Sequence, residues 1–265
     1  MHTDFNETSP DKILNQDFLD EYNATIESIW WQIISLCSKM TVLEKVNSFR
    51  FDLFDNDYPR NHFWNLVISS FFESSILCIW RISIDNSNDE GITLNQLKNK
   101  IIQNIVNEEI KTDFKEKLKN LAFEKNQKEI NEKIKAIRHN FIAHYNIPRN
   151  KSTLSVNKLY SMDFNELKSA NSQIINYFDF LCFSAKKSTY TLKYQPNIKH
   201  PVGIDNRLDV ERLLDTLVKE SYFISGKEEI KEIWEKDINQ LLDDDLEEIN
   251  RYRIKFGYSV LRKTT

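Results

Sequence analysis

An all-α fold is predicted by three features of the sequence. Glycine and proline contribute only 4 and 5 of 265 residues, which excludes a β-rich fold built on many tight turns. Apolar residues make up 40% and aromatic residues 12%, enough for a packed core, which excludes a wholly disordered chain. Those apolar residues recur at helical spacing over long stretches. The length allows one large domain or a main domain with an appendage.

The first helix is expected over residues 17–40, where Phe18, Tyr22, Ile26, Ile29, Ile33 and Leu36 share a face and Asp17 can serve as N-cap. Residues 51–59, FDLFDNDYP, read as a loop with aromatic anchors. Residues 61–83 are apolar on all sides and should form the central, buried helix. The stretch 63–84 is long enough to span a membrane. Glu73 and Arg81 lie inside it and no lysine or arginine cluster flanks it, so it reads as a core helix. Residues 85–91 have loop composition, Thr93 starts a helix to about residue 106, and two more helices follow over about 108–123 and 126–145, the second closed by Pro148. Asp163 can cap the next helix with Glu166 at capping-box spacing. Residues 189–194 alternate as a short extended piece, 196–205 carry proline and glycine as a linker, and 206–265 read as two or three helices with an acidic run at Asp243, Asp244 and Asp245. The five tryptophans, Trp30, Trp31, Trp64, Trp80 and Trp234, sit among apolar residues and are expected in the core.

Charge divides unevenly along the chain. Residues 1–97 carry 6 basic and 15 acidic side chains, residues 98–151 carry 13 and 7, and residues 152–265 carry 17 and 18. Only the middle segment offers a positive surface to a nucleic acid.

Several chemistries are excluded. The glycines at 91, 203, 226 and 257 are isolated, so no phosphate-binding loop exists. His2, His62 and His200 show no zinc-ligand spacing, and Asp52, Asp55 and Asp57 lack the glycine and distal glutamate of a calcium loop. No metal or cofactor is expected. Cys37, Cys78 and Cys182 are odd in number and far apart, which fits a reducing cytoplasm rather than a disulfide framework. The acidic first twenty residues do not resemble a secretory signal.

The functional signal concentrates in residues 135–147, KAIRHNFIAHYNI. On a helical wheel centred on the apolar stripe Ile130, Ile134, Ile137 and Phe141, Arg138 lies at about +70°, His144 at about −50° and Asn140 at about −90°. Asn140 and His144 are neighbours one turn apart, while Arg138 lies across the stripe. Such residue types suit metal-free RNA cleavage, in which a 2′-hydroxyl attacks the adjacent phosphate. Histidine moves protons, arginine stabilises the developing charge and asparagine orients the imidazole. By types and spacing alone, the favoured reading is a histidine that caps a carbonyl or pairs with a buried carboxylate and a salt-bridged surface arginine.

Arg138 and His144 with five residues between them, Ala143 just before the histidine, and the block RHNFIAH resemble the R-x4-6-H motif of the HEPN ribonuclease superfamily, and more narrowly its AbiU2-like abortive-infection branch. Residues 62–97 are similar to that branch's upstream helix, and the resemblance spans about 17–187. It implies a HEPN-like up-down helical bundle with a C-terminal helical extension: a domain over 1–195, a linker near 196–205 and an acidic extension over 206–265. It further implies a homodimer whose two motifs form one RNA-cleaving cleft, a toxin or anti-phage role against tRNA, mRNA or rRNA, and an antitoxin or sensor protein as partner, away from the membrane. Arg138, Asn140 and His144 are then catalytic, with Glu73, Arg81, Asp85 and His139 in support. His139 occupies the place where the branch often has asparagine, shifting Asn140 by one. Tyr145 lies one residue after the histidine rather than two, so silencing by tyrosine modification is not supported. The alternative is a non-catalytic helical module that dimerises or binds RNA or protein, in a defence system. The extension either masks the basic middle or docks a partner.

Overall fold

The computed structural model describes residues 4–5, 7–54, 63–83, 93–138, 162–183, 209–221, 224 and 238–263. Among these the architecture is all-α, with no strand beyond one antiparallel bridge between Leu14 and Ile105. The helices are α1 (Leu19–Asn47), α2 (Phe51–Phe54), α3 (Phe63–Ser83), α4 (Leu94–Asn104), α5 (Glu108–Leu121), α6 (Phe123–Ile137), α7 (Phe164–Leu181), α8 (Asp209–Glu220) and α9 (Asp243–Lys255).

The local signals explain most boundaries. Asp163 and Glu166 form the reciprocal capping box that their spacing predicts at α7, and Thr93, expected to start α4, forms another with Gln96. Asn107 caps α5 by accepting from the N–H groups of Glu109 and Ile110. Asp17 is not the cap of α1. Asn15 accepts from Asp17 N–H and starts a single 3-10 turn, Gln16–Phe18, that runs into the helix. Residues 51–54 form one helical turn rather than a loop, because Phe51, Leu53 and Phe54 are all buried. The acidic run Asp243, Asp244 and Asp245 occupies the first turn of α9, where the exposed N–H groups favour negative charge. Residues 85–91, 189–194 and 196–205 lie outside the described residues.

The chain divides into two compact units, residues 1–41 with 70–196 and residues 42–69 with 197–265. Dividing the chain in sequence order, at a linker near 196–205, places 42–69 with the first domain; the structure groups them with the C-terminal residues. The reason is packing. Phe54 and Leu53 cluster with Val218 of α8, Ile224 and Ile249 of α9, while Phe51 and Trp64 cluster with Val46 and Leu214. Arg50 spans Asp52 and Asp245, and Lys255 holds the buried Asp215 through both carboxylate oxygens at 2.6 and 2.7 Å. These contacts join segments that are distant in sequence.

In the first unit, α6 packs on α7, and α4 on both α5 and α7. Ile134 and Ile137 of α6 are buried, as are Leu167, Ile174, Phe178 and Leu181 of α7. Gln127, buried in the same stripe, donates to the Ala170 carbonyl, and Lys133 pairs with Glu166. Tyr22 of α1 is fully buried; its hydroxyl donates to the Leu181 carbonyl and accepts from Phe183 N–H, both at 2.9 Å, while its ring stacks on Phe183. Burial at Phe5, Phe114 and Phe183 completes this aromatic cluster.

Two expectations about burial are corrected. Helix α3 is long and apolar enough to cross a membrane, but it is not uniformly buried. Ile76, Cys78, Ile79 and Ile82 are buried, whereas Phe63 is 56% and Leu66 66% exposed. Trp31 is 58% exposed rather than in the core, because neighbours on a helix point about 100° apart and Trp30 and Trp31 cannot both face inward.

Asp179 of α7 sits in partly desolvating surroundings that push its carboxyl up to about 6 from an ordinary 3.8. Between those values the native chain binds the proton more than the unfolded chain does, so the stability it contributes is full at low pH and declines as pH rises through about 6. Asp179→Asn removes this decline. The variant's melting temperature should gain on the wild type from pH 4 to pH 7 and hold that lead above; an equal difference at all pH values would contradict the assignment.

Candidate functional site

Of the motif residues, Arg138 is described; His139, Asn140 and His144, like Asp85, lie outside the described residues. Arg138 closes α6 with helical backbone angles of φ −56° and ψ −49°, its N–H bonded to the carbonyls of Ile134 and Lys135. The backbone is therefore still helical where the block RHNFIAH begins. The apolar stripe behind it follows the wheel in part: Ile134 and Ile137 are buried, Ile130 is half-buried and Phe141 lies outside the described residues. Arg138 itself is half-buried.

Its guanidinium stands over the ring of Trp80 on α3, 4.7 Å from the centroid. Arginine favours this arrangement because its flat, weakly hydrated cation is attracted to the indole face while its donors remain directed outward. The Trp80 Nε1–H is buried without a hydrogen-bond partner among the described residues. The indole therefore contributes to this contact through its face. Trp80 was expected as a core residue; it is half-buried and serves as a platform. Sequence spacing carries no signal for it, since the contact joins two helices 58 positions apart only in the fold.

The same helix carries two of the supporting residues. Arg81 is adjacent to Trp80 and Glu73 lies seven positions earlier, about two turns or ~10 Å along the axis and on nearly the same side. Both are exposed. The structure thus brings the motif arginine to the α3 segment that holds Glu73 and Arg81. No group of three His, Cys, Asp or Glu side chains able to hold a metal ion occurs among the described residues.

An all-α chain with this arginine at a helix end, leaning on the upstream helix and opening an arginine-to-histidine motif, has the features of a HEPN-type protein. The chain belongs to the AbiU2 family of that class: the HEPN AbiU2 family model matches residues 11–215. It is a HEPN-type, abortive-infection-associated protein. The match runs on to Asp215 in α8, beyond the residue 187 at which the resemblance was expected to stop. No curated protein and no solved structure matches the chain.

Proposed function

We propose that this protein is a metal-independent endoribonuclease, a toxin or anti-phage effector of abortive infection. The observation that carries the proposal is Arg138, fixed at the end of α6 on the Trp80 face at the head of RHNFIAH, in a chain of the AbiU2 family. In this reading the 2′-hydroxyl of the RNA attacks the adjacent phosphorus. His144 takes the hydroxyl proton and a histidine of the same kind returns one to the departing 5′ oxygen, leaving a 2′,3′-cyclic phosphate. Arg138 neutralises the extra charge on the phosphoryl oxygens, Asn140 orients the imidazole, and Glu73 and Arg81 support the arginine. Because Arg138 and His144 lie on different sides of the stripe, either the long arginine side chain reaches over it or two copies face each other across a dimer axis; the family resemblance favours the homodimer. RNA is the substrate, an antitoxin or sensor protein the regulator, and the cytoplasm the place of action.

The test is incubation of wild-type and His144→Ala protein with total cellular RNA in EDTA. Fragments ending in 2′,3′-cyclic phosphate from the wild type alone are the expected result. RNA left intact by both, or cut equally by both, would overturn it.

One observation favours a second reading. The Arg138 guanidinium already has a contact on Trp80, as a purely structural arginine would. The protein would then be a non-catalytic dimerisation or binding module, and His144→Ala would lower dimer affinity or melting temperature in a protein that never cuts RNA.

A further inference from the structure

The first unit contains a groove of about 780 Å³ between α4, α5, α6 and α7. Its floor includes the stacked rings of Phe123 and Tyr177, 4.1 Å apart and 7° from parallel. Its walls carry Lys98, Lys115, Lys119 and Lys125, and no carboxylate among the described residues lines it. Lys115, Lys119 and Lys125 are exposed, and none of them pairs with another described residue. The contrast with the second unit is sharp: in its cleft of about 310 Å³, Lys45, Arg50 and Lys255 are each matched by Glu211, Asp245 and Asp215.

The three exposed lysines, Lys115, Lys119 and Lys125, line one concavity and repel one another in the free protein, an arrangement relieved when a ligand supplies the negative charge. The volume falls in the ~300–1,000 Å³ range of concave ligand sites and is too small for a folded partner. Lysine walls over an apolar floor suit the phosphates of a nucleic-acid backbone rather than its bases, since Phe123 and Tyr177 are buried and stacked on each other.

We propose that this groove binds the backbone of single-stranded RNA, independently of base sequence. From Phe123 to Arg138 is 15 residues of helix, ~22 Å. The groove would therefore hold a flanking part of the strand at one end of α6 while the arginine engages the scissile phosphate at the other. This rests on the ribonuclease proposal for its biological sense but is read out by binding alone.

The experiment uses full-length protein and a fluorescent, fully 2′-O-methylated RNA oligonucleotide, which cannot be cut by 2′-hydroxyl attack. The triple variant Lys115→Gln, Lys119→Gln, Lys125→Gln should bind at least tenfold more weakly than wild type. Loss of about 0.7 per phosphate contact should also flatten its slope of log affinity against log salt by about two. A charge-matched control, Lys12→Gln, Lys219→Gln, Arg262→Gln, should bind like wild type. In parallel, acetylation footprinting of the wild type should show Lys115, Lys119 and Lys125 protected by the RNA, a readout that does not depend on how the variant folds. Equal weakening in both triple variants, no protection of the three lysines, or protection by an acidic peptide and not by RNA would overturn the proposal. Groove binding without RNA cleavage would leave it standing while removing the ribonuclease proposal; cleavage with no groove binding would do the reverse.

Discussion

Arg138→Ala should cleave RNA about 10²- to 10³-fold more slowly than wild type, the loss typical of removing one donor that stabilises transition-state charge. Because Arg138 is half-buried at the C-terminal end of α6 rather than in the core, the fold should survive the change. Trp80→Ala tests what holds the guanidinium in place. A cation–π contact contributes about 0.5–2 kcal/mol, so removing the indole should slow cleavage by ~2- to 30-fold, less than removing the arginine itself. Trp80→Phe keeps an aromatic face 4.7 Å from where the guanidinium stands and should restore most of the rate. A platform that only supports packing would instead lower melting temperature in both Trp80 variants and leave the turnover of the folded fraction unchanged. Full activity in Arg138→Ala would remove the arginine from the mechanism.

Tyr22→Phe should destabilise the first unit by about 2–4 kcal/mol, a large effect for the loss of one oxygen. The hydroxyl is the 2.9 Å partner of both the Leu181 carbonyl and the Phe183 N–H, and all three residues are fully buried. Removing it leaves two backbone groups without partners and without water, each costing ~1–3 kcal/mol. Chemical denaturation followed by circular dichroism measures this directly. Ser38→Ala removes a hydroxyl that bonds only its own helix at the Ile34 carbonyl, so it should cost no more than about 0.5 kcal/mol. Equal effects from the two changes would mean that the Tyr22 hydroxyl does not bridge the end of α7.

How much of this was legible in the sequence depends on the range of the interaction concerned. The capping boxes at Thr93 and Asp163 are set by side chains three residues apart; the one at Asp163 appears as its spacing predicts, and Thr93 starts its helix where expected, with Gln96 completing a box that was not read from the sequence. The stripe of α6 is equally local, and Ile134 and Ile137 are buried as the wheel requires. The α1 start was misplaced because Asn15 and Asp17 are both good caps, and only the geometry of the Gln16–Phe18 turn decides between them. Trp80 was not legible as the partner of Arg138 because nothing in its own neighbourhood distinguishes a platform from a core indole. The second unit escaped for a similar reason: composition marks linkers, whereas Phe51, Phe54 and Trp64 find Leu214, Val218 and Ile249 through contacts that no window of sequence contains. Of the candidate site, the helix that ends at Arg138 was readable, and the family was legible in the block RHNFIAH taken together with residues 62–97.

The discontinuous make-up of the second unit has a consequence in time. Arg50 leaves the ribosome 195 residues before Asp245, the carboxylate it finally binds. At ~5–20 residues per second that interval is about 10–40 s. For most of it, Phe51, Phe54 and Trp64 lack the Leu214 and Val218 of α8, and to its end they lack the completed α9, which cover them in the finished protein. During synthesis the chain therefore presents an unfinished aromatic surface while the first unit already has most of its residues. A chaperone that recognises exposed apolar segments has that interval in which to engage it, and a ribosome stalled before residue 243 yields a chain whose second unit cannot close.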